Sequence, residues 1–258
     1  MSEVEIAYID VGGRSIAYRL RPGNVPTILF LPGYVSDMEG AKALALDALA
    51  ECRGLAMLRL DYSGTGSSGG RFEDGSLSLW LEEALAAVDQ LTDGPLILVG
   101  SSMGGWIALH LALLRPERVR ALVGIAAAPD FTDWGFSPEQ KAALQRDGRL
   151  EEPNPYGPEP TPTHPGFWRD GEANLLLDAP IPIHGPVRLL HGQQDPDVPW
   201  DISLRLAAAL RSADVQVTLI KDGDHRLSRD GDIALLLRTV DDLHAGLAAR
   251  NAPPLEGL

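Results

Sequence analysis

The residues best placed to do chemistry lie in GSSMG, residues 100–104, a Gly-x-Ser-x-Gly motif centred on Ser102. Spacing alone is a weak signal, because small residues fall into this pattern by chance. The flanks sharpen it: an apolar run at residues 96–99 reads as a strand, and a helix pattern opens at Met103. A sharp strand-to-helix turn strains the backbone of its middle residue. It also holds that residue's hydroxyl beyond the sheet, near helix amides that favour negative charge. The competing account is an ordinary tight turn or an anion-binding loop. Ser101 lacks the symmetric glycine flanks and is the plainer neighbour.

A nucleophilic serine needs a base, and the base needs an orienting acid. HGQQDPDVP follows an apolar run ending at Leu190 and sets Asp195 in the loop beyond it. DGDHRL follows a run ending at Ile220 and sets His225 in the next such loop. Parallel strands would bring both loops to the edge of the sheet that carries Ser102. Asp197 is the second candidate for the acid, whereas Asp224 adjoins His225 and cannot easily turn back onto its neighbour's ring. His110 shares a helix face with Ile107, Leu111 and Leu114 and reads as a packing histidine; His191 reads as structural. His164 and His184 could touch substrate but sit at no strand end of the right order, and His244 falls on the last helix.

LPGYVSD, residues 31–37, supplies a third part. Gly33 ends a central strand, so the Tyr34 N–H is placed to point into the site and, with the Met103 N–H, to form an oxyanion hole. A plain turn is the alternative. DYSGTGSSGG, residues 61–70, looks like a phosphate loop but lacks a following Lys-Ser/Thr, and reads as a structural loop at the rim.

The elements that must position these residues alternate. Strand patterns fall at about residues 4–10 and 16–20 around Gly12-Gly13, then begin near Thr27, Leu55, Pro95, Val119, Pro186 and Val215. Helix patterns intervene at about 40–52, from the cap Ser76, at 103–114 and at 200–212. The helix from Ser76 carries a stripe of Leu77, Leu81, Leu85, Val88 and Leu91. The last helix has Ile233, Leu236, Leu237, Val240 and Leu243 on one face. Cys52 shares a face with Ala45, Ala48 and Leu49 and is expected in the core. Such alternation predicts an α/β fold, a mostly parallel sheet with helices on both faces, with the early hairpin as an antiparallel edge.

The alternation stops between Ala128 and Pro186; nine of the 20 prolines fall in its second half, from Pro153 to Pro186, and six of the 15 aromatics lie in the whole stretch. Those aromatics are Phe131, Trp134, Phe136, Tyr156, Phe167 and Trp168, too many for a disordered linker. A small helical cap at about residues 129–185 is expected, with one helix after Ser137-Pro138 and another near 166–177. Trp134, Phe136, Phe167 and Trp168 are candidate walls of a substrate pocket, or else glue between cap and sheet.

A chain of 258 residues, 45% hydrophobic, can form one domain over residues 1–258. The formal charge of −14 disfavours nucleic acid and anionic lipid surfaces. One cysteine excludes an internal disulfide and a cysteine-based metal cluster. No apolar run reaches the roughly 18 residues of a membrane span. MSEVEIAYID has neither signal nor transit character, so a cytoplasmic address is expected.

Together these residues resemble the α/β-hydrolase superfamily, and more narrowly the mitochondrial palmitoyl-protein thioesterase group, which has also been described as hydrolysing drug acyl glucuronides. The narrower likeness rests on LPGYVSDMEGAKALAL, LDYSGTGSS, LVGSSMGGW, RLLHGQQDPDVPW and DHR, spread over residues 27–243. It implies the α/β-hydrolase fold, with Ser102 as nucleophile, Asp195 as acid and His225 as base. The Pro-rich NPYGPEPTPTHPG of residues 154–166 and the N-terminus without a transit peptide depart from the group.

The resulting expectation is a serine hydrolase of carboxylic esters acting on a small-molecule substrate, with thioester hydrolysis as the alternative and no metal or organic cofactor. An acyltransferase, a carbon–carbon bond hydrolase and a catalytically silent ligand-binding protein use the same fold and stay as rival readings.

Overall fold

The structure is a computed structural model, and it describes residues 4–154, 158 and 160–251. Strands β1 (Ala7–Val11) and β2 (Arg14–Arg21) form a hairpin around Gly12-Gly13. There follow β3 (Asn24–Leu31), α1 (Ala41–Arg53), β4 (Leu55–Leu60), α2 (Leu77–Leu91), β5 (Leu96–Ser101), α3 (Met103–Leu114) and β6 (Val119–Ile125). The cap segment then holds α4 (Phe131–Trp134), α5 (Pro138–Asp147), β7 (Leu150–Glu152), β8 (Thr161–Thr163) and α6 (Pro165–Glu172). The sheet resumes with β9 (Val187–Gly192), α7 (Asp201–Ala209), β10 (Val215–Ile220) and α8 (Asp230–Asn251).

Eight strands make one sheet in the order β1-β2-β4-β3-β5-β6-β9-β10. The β1–β2 and β2–β4 pairs are antiparallel and all others parallel. Successive residues of a strand face opposite sides, and both sides here are apolar. Ile28, Phe30, Met57, Ile97, Val99 and Val123 pack under α1 and α8; Leu29, Leu31, Leu58, Leu96, Leu98 and Leu122 pack under α2 and α3. A parallel sheet buried on both faces explains the near-continuous apolar runs of the sequence. Its parallel strands end at one edge, where the loops after β3, β5, β9 and β10 converge.

Three expectations change in detail. In α1 the buried stripe is Ala43, Leu46 and Ala50, and Cys52 is exposed. Two residues past Ala50 is about 200° around the helix, so Cys52 faces away from the stripe. In α2, Ser76 Oγ does cap Leu79 N–H (3.2 Å), but the buried face is Leu77, Trp80, Glu83, Ala84, Ala87 and Val88, leaving Leu81, Leu85 and Leu91 only partly buried. Trp80 turns the face inward by donating to Ser63 O (3.1 Å), and Glu83 is buried because it accepts from Arg14 Nε (2.8 Å) and Ser63 N (2.9 Å). The cap is not purely helical: β7 and β8 form an antiparallel hairpin. Tyr156 lies outside the described residues.

The cap is latched at its base. Asp130, buried and at φ 61°, accepts from Leu176 N (2.8 Å) and Leu177 N (2.7 Å), tying the start of the segment to its end. The loop of residues 61–70 is a structural loop, but none of its residues lines the cleft beside Ser102. Asp61 accepts from Met38 N and Ser67 N (both 2.7 Å) and so fastens the chain after β3 to the chain after β4.

Candidate active site

Ser102 joins β5 to α3 at φ 53° and ψ −120°, a backbone region that side-chain-bearing residues avoid. Its N–H donates to Ile125 O (2.9 Å), and its carbonyl accepts from Gly105 N (2.9 Å) and Ala128 N (3.1 Å). The flanking glycines are required by close approach. A Cβ on Gly100 would stand 2.3 Å from Gly104 O, and one on Gly104 would stand 2.1 Å from Leu31 O. The helix therefore packs directly on the strand ends, and the hydroxyl is carried at the edge of the sheet.

His225, in the loop after β10, approaches from the side. Its Nδ1 lies 2.8 Å from Asp195 Oδ2, and the Asp195 side chain is fully buried. Asp195 Oδ1 accepts from Asp197 N (2.8 Å) and Val198 N (2.9 Å). Burial pushes the Asp195 carboxyl up, but hydrogen bonds from His191 and His225 outweigh it and hold the group well below the usual carboxylate range. Asp197 is exposed and lines the cleft mouth, while Asp224 Oδ1 is taken by Leu227 N (2.9 Å) in a turn.

Ser102 and His225 open on one cleft of about 690 Å³. Gly33, Tyr34 and Val35 form one wall, Trp134 and Phe136 of the cap another, and Lys42, Arg226 and Ser228 a polar side. The Met103 N–H is the first of α3 and has no intrahelical acceptor. The Tyr34 ring packs 4.8 Å from Phe167 and 5.0 Å from Phe72 (centroid distances), and its hydroxyl donates to Pro162 O (2.9 Å) beside the cap hairpin. Val35 follows at φ 53°, strained for a β-branched residue.

Of the four cap aromatics, Trp134 and Phe136 line the cleft, and Phe167 and Trp168 do not. Phe167 is buried between Tyr34, Trp80 and Phe131, and Trp168 packs on Phe136 and Leu144. Phe167 thus joins the cap to the body of the protein, while Trp168 packs within the cap. His110 Nε2 meets Asn174 O (3.0 Å) and packs as expected; His164 and His184 do not line the cleft.

Two further residues touch the site: Lys42, which the sequence did not single out, and His191, which it read as structural. Lys42 reaches from α1 to Arg226 O (2.5 Å) and Ser228 Oγ (3.4 Å), next to His225. Burial, and then the charge of Arg226, bring its ammonium down to about 8. His191 sits against the Asp195 carboxylate at 3.2 Å. Its position four residues before an acid at a strand end was the available signal.

Among the described residues, one group has metal-ligating donors within 4.8 Å of one another: Asp195, Asp197 and His225. The Asp195 oxygens and His225 Nδ1 are already engaged with each other and with backbone N–H groups. A cation there would have to displace these bonds.

Comparison with known proteins agrees with this architecture. The family described as alpha/beta hydrolase fold matches residues 26–151. The mitochondrial palmitoyl-protein thioesterase ABHD10 of Homo sapiens is 43% identical over 233 residues, 89% of this chain and 76% of that protein. The solved alpha/beta hydrolase domain-containing protein 10 from mouse superposes with a TM-score of 0.88 at 40% identity, covering 94% of this chain and 99% of that one. A solved hydrolase from Agrobacterium vitis S4 gives 0.87 at 42% identity, covering 93% and 98%. The curated relatives from human, orangutan and mouse are mitochondrial proteins, which overturns the expectation of a cytoplasmic address. No helix among the described residues is long and apolar enough to cross a membrane.

Proposed function

The chain belongs to the α/β-hydrolase family, and we propose that it works there as a serine hydrolase cleaving acyl thioesters and carboxylic esters through an acyl-enzyme on Ser102. One observation carries the reading. A strained Ser102 shares a cleft with a His225 whose ring is held at 2.8 Å by a buried carboxylate. His225 Nδ1–H donates to Asp195, so the Nε2 lone pair is free to take the Ser102 proton. Ser102 Oγ bonds to the acyl carbon, and the carbonyl oxygen becomes an oxyanion facing the Tyr34 and Met103 N–H groups. The oxyanion collapses, the C–S or C–O bond breaks, and the departing thiol or alcohol takes the proton from His225. Water repeats the attack with His225 as base, releasing the carboxylic acid and restoring Ser102. No metal or organic cofactor is used in this scheme.

The name palmitoyl-protein thioesterase carried by the curated relatives supports putting thioesters ahead of oxygen esters in this reading, whereas the sequence alone suggested oxygen esters first. Trp134, Phe136 and Val198 supply an apolar wall for the acyl group, and the polar side of the cleft receives the leaving group. The test is labelling with a fluorophosphonate, followed by a panel of matched thioesters and esters of graded acyl length. Labelling at Ser102 with faster thioester turnover is expected. Turnover by a protein that never labels would contradict the serine mechanism, and faster oxygen-ester turnover would reverse the substrate order.

A further inference from the structure

We infer that His191 is a positioning residue that holds the Asp195 carboxylate in register with His225, so that Ser203, His191, Asp195, His225 and Ser102 work as one relay. This rests on the reading of Asp195 as the acid. His191 lies at the end of β9 and is fully buried. Its Nε2 is 3.0 Å from Val198 O and 3.2 Å from Asp195 Oδ2. A carbonyl and an ionised carboxylate are acceptors without a proton to give, so Nε2 carries the hydrogen and donates. Nδ1 is 2.7 Å from Ser203 Oγ in the first turn of α7, and in the neutral ring it accepts that hydroxyl. The tautomer of His191 is therefore fixed from both sides.

The consequence falls on Asp195. Its Oδ2 accepts from His225 Nδ1–H at 2.8 Å and also faces the His191 Nε2–H at 3.2 Å, a single hydrogen that His191 shares with Val198 O at 3.0 Å, while Oδ1 receives the N–H groups of Asp197 and Val198. Three full donors and one shared donor hold the carboxylate in the orientation that aligns His225.

The test uses three variants of the full chain. His191→Leu removes the donor at similar volume, His191→Gln restores an N–H donor, and Ser203→Ala removes the lock on the tautomer. The readouts are kcat and KM on an acyl thioester, thermal melting, and the proton resonance of His225 Nδ1–H. His191→Leu is expected to lower kcat about 10- to 100-fold, the range of one hydrogen bond to a charged group, with KM within about twofold. His191→Gln recovers much of that loss, and the His225 resonance moves in the Leu variant and returns in the Gln variant. Ser203→Ala acts in the same direction more weakly and adds nothing in the His191→Leu background. Should His191→Leu not fold, His191→Gln against Ser203→Ala carries the same comparison.

Wild-type kcat in His191→Leu overturns the proposal, as does a loss that follows melting temperature and is not recovered by Gln. Asp195→Asn tests the underlying reading separately. If it turns over like wild type, the acid is misassigned and the relay falls with it. If it is crippled while His191→Leu is not, the role of His191 alone falls.

Discussion

At the scale of single residues, the site is paid for by Ser102, whose conformation costs on the order of 1–3 kcal/mol in a residue with a side chain. The acid can be assigned by substitution. Asp195→Asn is expected to lower turnover by up to ~10⁴, because an amide cannot hold the imidazole in its working tautomer. Asp197→Asn is expected to stay near wild type, since Asp197 meets Asp195 through its backbone N–H. Steady-state kinetics of the two variants decide it, and a worse Asp197 variant would move the acid to Asp197. The same carboxylate bears on the pH profile. Asp195 is held well below the usual carboxylate range by hydrogen bonds from His191 and His225, so it stays ionised in mild acid. Protonation of Asp195 should therefore not limit activity there, and an acid limb of kcat against pH that Asp195→Asn removes would count against this. The placing of Ser102, Asp195 and His225 in loops at one sheet edge was legible because each follows a readable apolar strand. The contact of His191 was not, because it depends on how residues 195–203 fold back, which no spacing encodes.

At the scale of elements, the cap divides into a wall and an anchor. Trp134 faces the cleft, so Trp134→Ala should change the ranking of acyl chain lengths, by up to ~1–3 kcal/mol per methylene lost from contact. Phe167 is buried among Tyr34, Trp80 and Phe131. Phe167→Ala should cost ~3–5 kcal/mol of stability and leave the ranking alone. A thioester panel and a denaturant melt on both variants test the division; a changed ranking in Phe167→Ala would put that ring in the pocket. Helix α5 was legible because Ser137 and Gln140 form a capping box before a proline start. Strands β7 and β8 were not, being three residues each with Pro162 inside one of them. Helix α1 was found, but its buried stripe was placed a step too far round, which misplaced Cys52.

At the scale of the whole molecule, the mostly parallel sheet covered on both faces was readable because a chain that alternates apolar strands with amphipathic helices has few ways to bury both faces of its sheet. The cellular address was not readable in the same way, since it is no property of the core. The converging loops of one sheet edge bring together residues more than a hundred positions apart, and the central claim is that they form a covalent catalyst. That claim is tested most directly by mixing the protein with an acyl thioester, quenching in acid and weighing the intact chain. The account predicts a mass increase equal to the acyl group, mapped to Ser102 after digestion. It also predicts that Ser102→Ala shows no adduct and loses on the order of 10⁶ in turnover. Turnover in Ser102→Ala at a clear fraction of wild type, or an adduct on another residue in the native chain, would contradict it.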